Sequence, residues 1–230
     1  MAGRKNFVAG EILTAADVNS FLMDQSVMVF DDSAARTTAI PTPTEGMVTY
    51  LKDSNSVEVF DGSAFGQLGG ILNAYTVTKT NAFSTSGINS PNQVAITGLS
   101  ISGVAASSAT SRLLIMVTLG HIGSSRSEGY GVGVHDGTSI VALGDAVGVR
   151  IQVTSGVRGV GNPTGQGMLS LQNIITPGDT TARTYEVRII AGSESTTTYH
   201  VNRDNIDNNT GDFLRSVSTM HILELPGGLF

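Results

Sequence analysis

The stretch that decides the fold is RSVSTMHILEL, residues 215–225, close to the end of the 230-residue chain. Side chains alternate between the two faces of a strand, so Met220 and Ile222 share one face while Leu223 and Leu225 share the other. A terminal strand that is apolar on both faces is not an ordinary exposed edge. We therefore predict that it lies inside a stack of sheets or against another copy of the chain, with these four residues at a subunit interface.

The chain between residue 71 and this last strand has the pattern of an all-β domain. Candidate strands are residues 75–79, 93–101, 112–121, 130–135, 138–144, 147–153, 168–175, 183–191 and 196–201. Short apolar runs separated by Gly, Asn, Asp, Ser and Pro predict an antiparallel β-sandwich of the jelly-roll type. Residues 112–119, apolar on both faces, predict a central strand. Gly131 and Gly133 leave one face of their strand bare, so another backbone or an aromatic ring can approach closely.

The first 70 residues predict a separate, smaller module that mixes helix and strand. A five-residue turn joins the strands GMVTYL and VEVF into a hairpin, and the pair Gly69–Gly70 is a plausible joint. The sequence therefore predicts an α+β attachment module over residues 1–70, followed by the sandwich over residues 71–230.

One amphipathic helix is predicted inside the small module. Thr14 has the properties of its N-cap, and Asp17 lies at the third helical position, where a carboxylate accepts free backbone N–H groups. Val18, Phe21 and Leu22 then fall on one face. This face either packs on its own module or docks on a neighbouring protein and anchors the chain, and the sequence leaves both alternatives open.

Composition excludes several classes of protein. Only 14% of the residues are charged, and the net charge of −6 leaves no basic face for nucleic acid. The chain has no Cys, which excludes disulfides and thiolate chemistry. Acidic residues follow the first basic ones too soon for a standard secretory signal, and the longest apolar run, residues 113–117, is too short to span a membrane. The low charge favours a surface that is largely covered in an assembly.

Tests for metal and cofactor sites favour structural readings. His121, His135, His200 and His221 lie on four separate predicted strands, which favours satisfied structural histidines over a zinc site. The Asp- and Asn-rich residues 204–212 break the spacing of a calcium loop and favour a self-bonded polar loop. The Gly-rich stretch after residue 155 lacks the phosphate-binding patterns. We expect neither a metal nor a cofactor.

Signals for catalysis are equally weak. The chain has no G-x-S-x-G elbow, and no Ser, His and Asp arrangement follows from residue order. A carboxylate pair such as Glu186 and Asp212 is conceivable for cleaving glycans, but nothing in the sequence singles it out. We therefore expect a protein that is not an enzyme.

Two segments resemble known virion proteins. FVAGEILTAADVN (7–19), DSAARTTAIPTPTEGM (32–47) and FDGSAF (60–65) resemble the N-terminal region of many tail fibre and minor tail proteins of tailed bacteriophages. Residues 199–225 resemble, more loosely, the end of the β-rich terminal domain of similar proteins. The two segments cover about a third of the chain. Phe60 and Phe65 stand where the family usually has Tyr and Trp.

The resemblance implies a virion component assembled in the host bacterial cytoplasm. Its relatives are commonly homotrimers, attached to other virion proteins by the N-terminal module and displaying the β domain to a host cell-surface glycan or protein. The loop residues expected to reach the host are Ser124, Arg126, Asn162, Gln166, Asn205, Asn208 and Asp212. A capsid fibre or decoration protein remains an alternative, and a glycan-cleaving tail spike is an alternative of another class.

Overall fold

The computed structural model describes residues 8–18, 26–88, 92–125, 129–158, 167–191, 196–206, 209–211 and 214–227. The chain divides into two compact units, Met1–Gly70 and Ile71–Phe230, with the boundary directly after the Gly69–Gly70 pair. The predicted fold class is confirmed: the protein is mostly β, with a small N-terminal part that contains helix and strand and an antiparallel sandwich after it.

The first unit contains a four-stranded sheet in which the strands follow chain order. The strands are β1 (Val27–Phe30), β2 (Val48–Leu51), β3 (Ser56–Phe60) and β4 (Phe65–Gln67). β1 and β2 pair in parallel, because α2 (Ser33–Ala39) lies between them in the chain, whereas β2–β3 and β3–β4 are antiparallel hairpins. The side chain of Asp32 caps α2 by accepting a hydrogen bond from the backbone N–H of Ala35.

A partly buried ion pair holds α2 against one face of this sheet. The Arg36 guanidinium donates to the Glu58 carboxylate, and the same guanidinium lies 4.1 Å from the centroid of the Phe65 ring. Phe65 in turn packs on Phe60, with 5.1 Å between ring centroids. The Arg36 guanidinium therefore lies on the Phe65 ring, which Phe60 supports from the neighbouring strand.

The predicted cap of the N-terminal helix is confirmed. In α1 (Ala15–Asp17), the Thr14 hydroxyl accepts from the backbone N–H of Asp17 at 3.1 Å, and the Asp17 carboxylate accepts from the Thr14 N–H at 3.2 Å. Val18 is half-buried at the C-cap. Phe21 and Leu22, the other two residues of the predicted anchoring face, lie outside the described residues.

The described residues of the second unit form eleven further strands in two sheets. They are β5 (Asn73–Lys79), β6 (Phe83–Ser86), β7 (Gln93–Val104), β8 (Arg112–Ser124), β9 (Gly129–His135), β10 (Ile140–Val141), β11 (Ser155–Arg158), β12 (Gly167–Ile175), β13 (Arg183–Ala191), β14 (Thr198–Val201) and β15 (Ser218–Leu225). One sheet has the order β10-β9-β13-β7, with β11 also on β9, and the other has the order β5-β15-β8-β14-β6, with β12 also on β8.

The strand β8 organises the six-stranded sheet, as its apolar pattern predicts. One edge of β8 pairs with β12 along most of its length. Its other edge pairs first with β15 and then, near Ser124, with β14. β15 is itself an interior strand, because β5 pairs with its other edge. All these pairings are antiparallel.

The core lies between the two sheets. Fully buried side chains from the six-stranded sheet, among them Ile115 and Ile222, face Leu99, Val132 and Val187 of the five-stranded sheet. Burial of this apolar layer is the main favourable contribution to the folding of the unit.

Two predicted strands of the five-stranded sheet differ from the structure. The run predicted over residues 138–144 is reduced to the two residues of β10, and residues 147–153 are a loop rather than a strand. The loop brings Val153 against the bare face of Gly131, where a Cβ atom would lie 2.3 Å from the Val153 Cγ1 atom. A group does approach the bare face of Gly131 and Gly133, but it consists of aliphatic side chains of the same chain, Val153 and Ile140, rather than of an aromatic ring or a further backbone segment.

Candidate interaction surface

Burial along β15 alternates without interruption. Met220 and Ile222 are 0% exposed and point into the core, as does Glu224. The prediction that Met220 and Ile222 lie at a subunit interface is therefore corrected, because the chain's own second sheet covers them. Leu223 and Leu225 point the other way and are only half-buried. For these two residues the interface stays a prediction.

The outward side of β15 belongs to a larger surface that we call the outer face. It consists of the outward residues of four neighbouring strands: Ala74, Thr76 and Thr78 of β5; Arg112, Leu114, Met116 and Thr118 of β8; Ser170, Gln172 and Ile174 of β12; and Thr219, His221, Leu223 and Leu225 of β15. Cross-strand pairing puts Ile174, Leu114 and Leu223 in one row, followed by Ala74 at the edge. Ile174 is 49% exposed.

The outer face separates apolar from polar rows and carries no negative charge. The next row along the strands contains Gln172, Met116, His221 and Thr76, and the row after it contains Ser170 and three threonines. Glu224 is the single acidic residue in these four strands, and it points inward. In a chain with net charge −6, a second copy would meet less repulsion here than over the rest of the surface.

Glu224 connects the end of β15 to the loop before β8. Its carboxylate is 0% exposed and accepts hydrogen bonds from the Asn73 side-chain amide at 2.6 Å and the backbone N–H of Ser107 at 2.5 Å. The Ser107 hydroxyl also donates to this carboxylate, at 3.1 Å. Burial by itself would raise the pKa of Glu224, but the hydrogen bonds outweigh burial and hold the pKa below its usual value.

We expect Glu224→Gln to destabilise the sandwich at neutral pH by about 2 kcal/mol, because an amide accepts these charge-assisted hydrogen bonds poorly. The pKa of Glu224 is lower in the folded chain than in the unfolded chain. Its contribution is therefore complete above the unfolded pKa and is lost as the pH falls through the folded pKa. Urea unfolding at several pH values between about 7 and 3 measures both effects.

The matched control is Asp145→Asn, which removes an exposed carboxylate in the same unit. We expect the free energy of unfolding of this variant to follow the wild-type dependence on pH. Glu224→Gln should instead be less stable than the wild type at pH 7 and should lose less of its stability as the pH falls. Equal stability of Glu224→Gln and the wild type at neutral pH would show that the hydrogen bonds of the Glu224 carboxylate do not stabilise the sandwich.

The four histidines are spread over the sandwich and have polar partners, as the structural reading predicts. His200 contacts the Ser84 hydroxyl and the Asn205 amide oxygen, each at 2.9 Å. His221 contacts the Thr76 hydroxyl at 2.9 Å, and the His135 Nδ1 atom accepts from the backbone of the turn that follows it. His121 lies 3.4 Å from the buried Asp204 carboxylate. Among the described residues, no three potential ligands gather around one point.

A cluster of polar contacts lies beside β8, at the point where the strand that pairs with its edge changes from β15 to β14. The buried Asn202 side chain donates to the Lys79 carbonyl oxygen at 2.8 Å and accepts from the Ser218 hydroxyl at 2.6 Å. The Ser216 hydroxyl accepts from the backbone N–H of His121 at 2.6 Å. The Ser216 contact satisfies a backbone N–H that the divided edge of β8 would otherwise leave unpaired, and the Asn202 contacts link β5 to the start of β15.

The loop residues expected to reach a host do not form one exposed site in the described chain. Ser124 is the last residue of β8 and is 0% exposed, because β14 pairs with it; its assignment to a host-binding loop is wrong. Asn205 is half-buried and bonded to His200. Arg126, Asn162, Gln166, Asn208 and Asp212 lie outside the described residues.

The conceivable carboxylate pair receives no support from the described residues. Glu186 pairs with the Arg188 guanidinium on its own strand, with 2.6 Å between the Glu186 Oε1 and Arg188 Nε atoms. Asp212 lies outside the described residues. Glu186 is thus engaged in a neighbouring ion pair on β13.

Sequence reasoning missed the partners of Leu223 on the outer face. Leu114, Met116 and Ile174 lie beside it or one row away, although β8, β12 and β15 are far apart in the chain. The available signal was the apolar character of residues 112–119 on both faces, which predicts a central strand. Only the register shows that the outward half of this run continues the outward half of β15.

The protein is thus a two-unit, mostly β chain whose larger unit is an antiparallel sandwich with one partly apolar outer face. No described helix is both long enough and apolar enough to cross a membrane. These features define an architecture and a candidate surface for association.

Comparisons with known proteins give weak structural matches only. No protein-family model matches the chain, and no curated protein matches it. The structure of infectious bursal disease virus Gt strain is 14% identical, with a TM-score of 0.36 over 86% of this chain and 55% of that chain. The structure of the Gx strain is 16% identical in sequence, with a TM-score of 0.32, and the match covers 74% of this chain and 41% of that chain. This chain covers about half of those chains, and TM-scores this low carry no argument about function.

Proposed function

We propose that the chain is a non-enzymatic structural protein of a tailed bacteriophage particle, a tail fibre or minor tail protein. In this proposal residues 1–70 attach the chain to other virion proteins, and the sandwich projects towards a host cell-surface glycan or protein. The N-terminal motifs over residues 7–65 support the class of protein, and the confirmed β architecture agrees with the fold expected for that class.

The outer face is the observation that carries the proposal of self-association. Its apolar row, Ile174, Leu114 and Leu223, is continued towards one end by Leu225, and no carboxylate interrupts it. A four-stranded area of this length covers roughly 400 Å², from the usual strand spacing and rise per residue. That area includes the polar rows, and its contiguous apolar part is the kind of patch that commonly marks an interaction site on soluble proteins.

A homotrimer is the assembly that we propose for this face. Around a three-fold axis each copy contributes the same rows, so apolar rows can meet near the axis while the threonine rows lie towards the periphery. The low proportion of charged residues in the chain, 14%, agrees with a surface that is partly covered in the particle.

The location of the chain in the particle tests the proposed function. Particles that carry an epitope tag on this chain should show antibody label at the tail, and deletion of residues 1–70 should remove the label. Label on the head would instead support a capsid fibre or decoration protein. Particles without the chain would contradict a virion role altogether.

A second arm of the same experiment tests the absence of catalysis. The purified full chain is incubated with envelope of the host, and released sugar is measured against buffer alone. We expect no release above the buffer control. Sustained release that depends on the chain would overturn the non-enzymatic proposal in favour of a glycan-cleaving spike.

A further inference from the structure

The first strand of the small unit has an open edge. β1 pairs with β2 on one side, and within the described residues no strand pairs with its other side. The backbone N–H of Lys52 donates to the Phe30 carbonyl oxygen, so the polar backbone groups of Phe30 face β2. Because these groups alternate along a strand, those of Val27 and Val29 face the open edge.

In the part of the chain that the structure describes, this edge lacks the features that normally prevent strand addition. Its sequence, VMVF, contains no charge, no proline and no glycine. Val27 and Val29 are each 57% exposed. Soluble proteins usually protect an edge strand with lysine, proline, a bulge or a covering segment, because unpaired backbone groups are a template for another strand. The other edge of the sheet, β4, is only three residues long.

A cleft runs along the same edge. It has a volume of about 480 Å³ and is lined by all four residues of β1 together with Ser26, Ala39 and Ile40. Both faces of β1 therefore contribute to its wall, as expected for a groove beside a strand rather than a pocket on one face of the sheet. An added strand could form backbone hydrogen bonds with the edge and place alternate side chains in the groove.

The charges at one end of the edge restrict the partner. Asp31 and Asp32 directly follow β1, and the backbone N–H of Asp53 donates to the Asp31 carbonyl oxygen, which brings a third acidic residue to this end. Lys52 is the one basic side chain beside them, and it is bonded to Asp31 at 2.8 Å. The balance is negative, so a basic residue at the matching end of a partner strand would be attracted.

We propose that β1 receives an extended strand from another virion protein, apolar at alternate positions and basic at the end that meets Asp31, Asp32 and Asp53. This inference rests on the proposed role of residues 1–70 in attachment and specifies how they attach. A second copy of the chain fits less well, because antiparallel pairing of two β1 strands offers no basic residue to either acidic end.

The test uses the full chain and a synthetic peptide, acetyl-KKVTVTVT-amide, labelled for fluorescence anisotropy. In an antiparallel addition its basic N-terminal end lies beside the acidic end of β1. We expect saturable binding by the wild type, at least tenfold weaker binding of the matched peptide that begins with two glutamates, and loss of binding when the peptide backbone is N-methylated at alternate residues along the pairing edge.

Two variants of the protein locate the binding on β1. Val29→Pro removes an N–H that faces the open edge and should weaken peptide binding at least tenfold, whereas Val29→Thr keeps the strand and should bind within about threefold of the wild type. If Val29→Pro perturbs the small unit, the N-methylated peptide still shows whether binding depends on backbone hydrogen bonds between the peptide and β1.

Three outcomes would overturn the proposal. They are the absence of saturable binding by the wild type, equal binding of the N-methylated peptide, and a lower oligomer mass of Val29→Pro, which would show that a second copy occupies the edge. Deletion of residues 1–70 tests attachment separately. If that deletion removes the chain from particles while the peptide fails to bind, only the strand addition is rejected.

Discussion

Leu223→Asp should convert the assembled protein into a folded monomer. Leu223 lies in the middle of the apolar row of the outer face, between Leu114 and Ala74 on the neighbouring strands. In a free chain, water hydrates a carboxylate at this position. In the assembly the carboxylate loses that water and gains no polar partner, and this desolvation costs several kcal/mol. We expect the concentration needed for assembly to rise at least about 100-fold.

Sedimentation velocity over a range of concentrations measures this change, and circular dichroism reports whether the sandwich is intact. Ser102→Asp is the matched control, because it adds the same charge at an exposed position of β7 on the other sheet. The control should assemble like the wild type. If Leu223→Asp sediments as the wild type does, the outer face is not the contact between copies.

Ile222→Asp, one residue earlier, should prevent the sandwich from folding. Ile222 is 0% exposed and packs in the core between the two sheets. Replacing it removes a buried aliphatic side chain and places a carboxyl group in an apolar layer, at a combined cost of at least about 5 kcal/mol. That is comparable to the whole stability of many domains.

Thermal unfolding and the dispersion of amide signals in NMR spectra measure the loss of the fold. We expect the signals of the second unit to collapse in Ile222→Asp and to stay dispersed in Leu223→Asp. Adjacent residues of one strand should thus give opposite results. A folded, monomeric Ile222→Asp variant would mean that Ile222 faces a partner and that the inward and outward sides of β15 are assigned the wrong way round.

Much of the β architecture could be predicted from local patterns. Alternation and turn residues predict most of the strands that form the two sheets, and the capping residues Thr14 and Asp17 mark the start of α1. The apolar run over residues 112–119 predicts a central strand because only a strand with neighbours on both edges keeps so many apolar side chains from water. These features depend on residues that are close together in sequence.

The parts that failed depend on contacts between distant residues. Residues 147–153 alternate like a strand, yet they form a loop, part of whose apolar side packs on the bare face of Gly131. The sequence could not decide which side of β15 faces the core, since both sides are apolar. The second sheet decides it by covering Met220 and Ile222.

The same dependence explains the candidate surface. Leu223 and Leu225 could be selected from sequence, whereas their neighbours Leu114 and Ile174 required the register of β8 and β12. The strand predicted over residues 112–121 stops before Ser124, but pairing with β14 extends β8 to that residue and buries it. Pairing between distant strands therefore defines both the surface and its limits.

The mass of the intact chain in solution tests the central claim most directly. Native mass spectrometry and sedimentation equilibrium of the wild type, at about 1 to 50 μM, should give a species three times the 23.8 kDa chain mass. That species should be lost in Leu223→Asp and retained in Ser102→Asp. A wild-type chain that remains at one copy throughout this range would contradict self-association through the outer face.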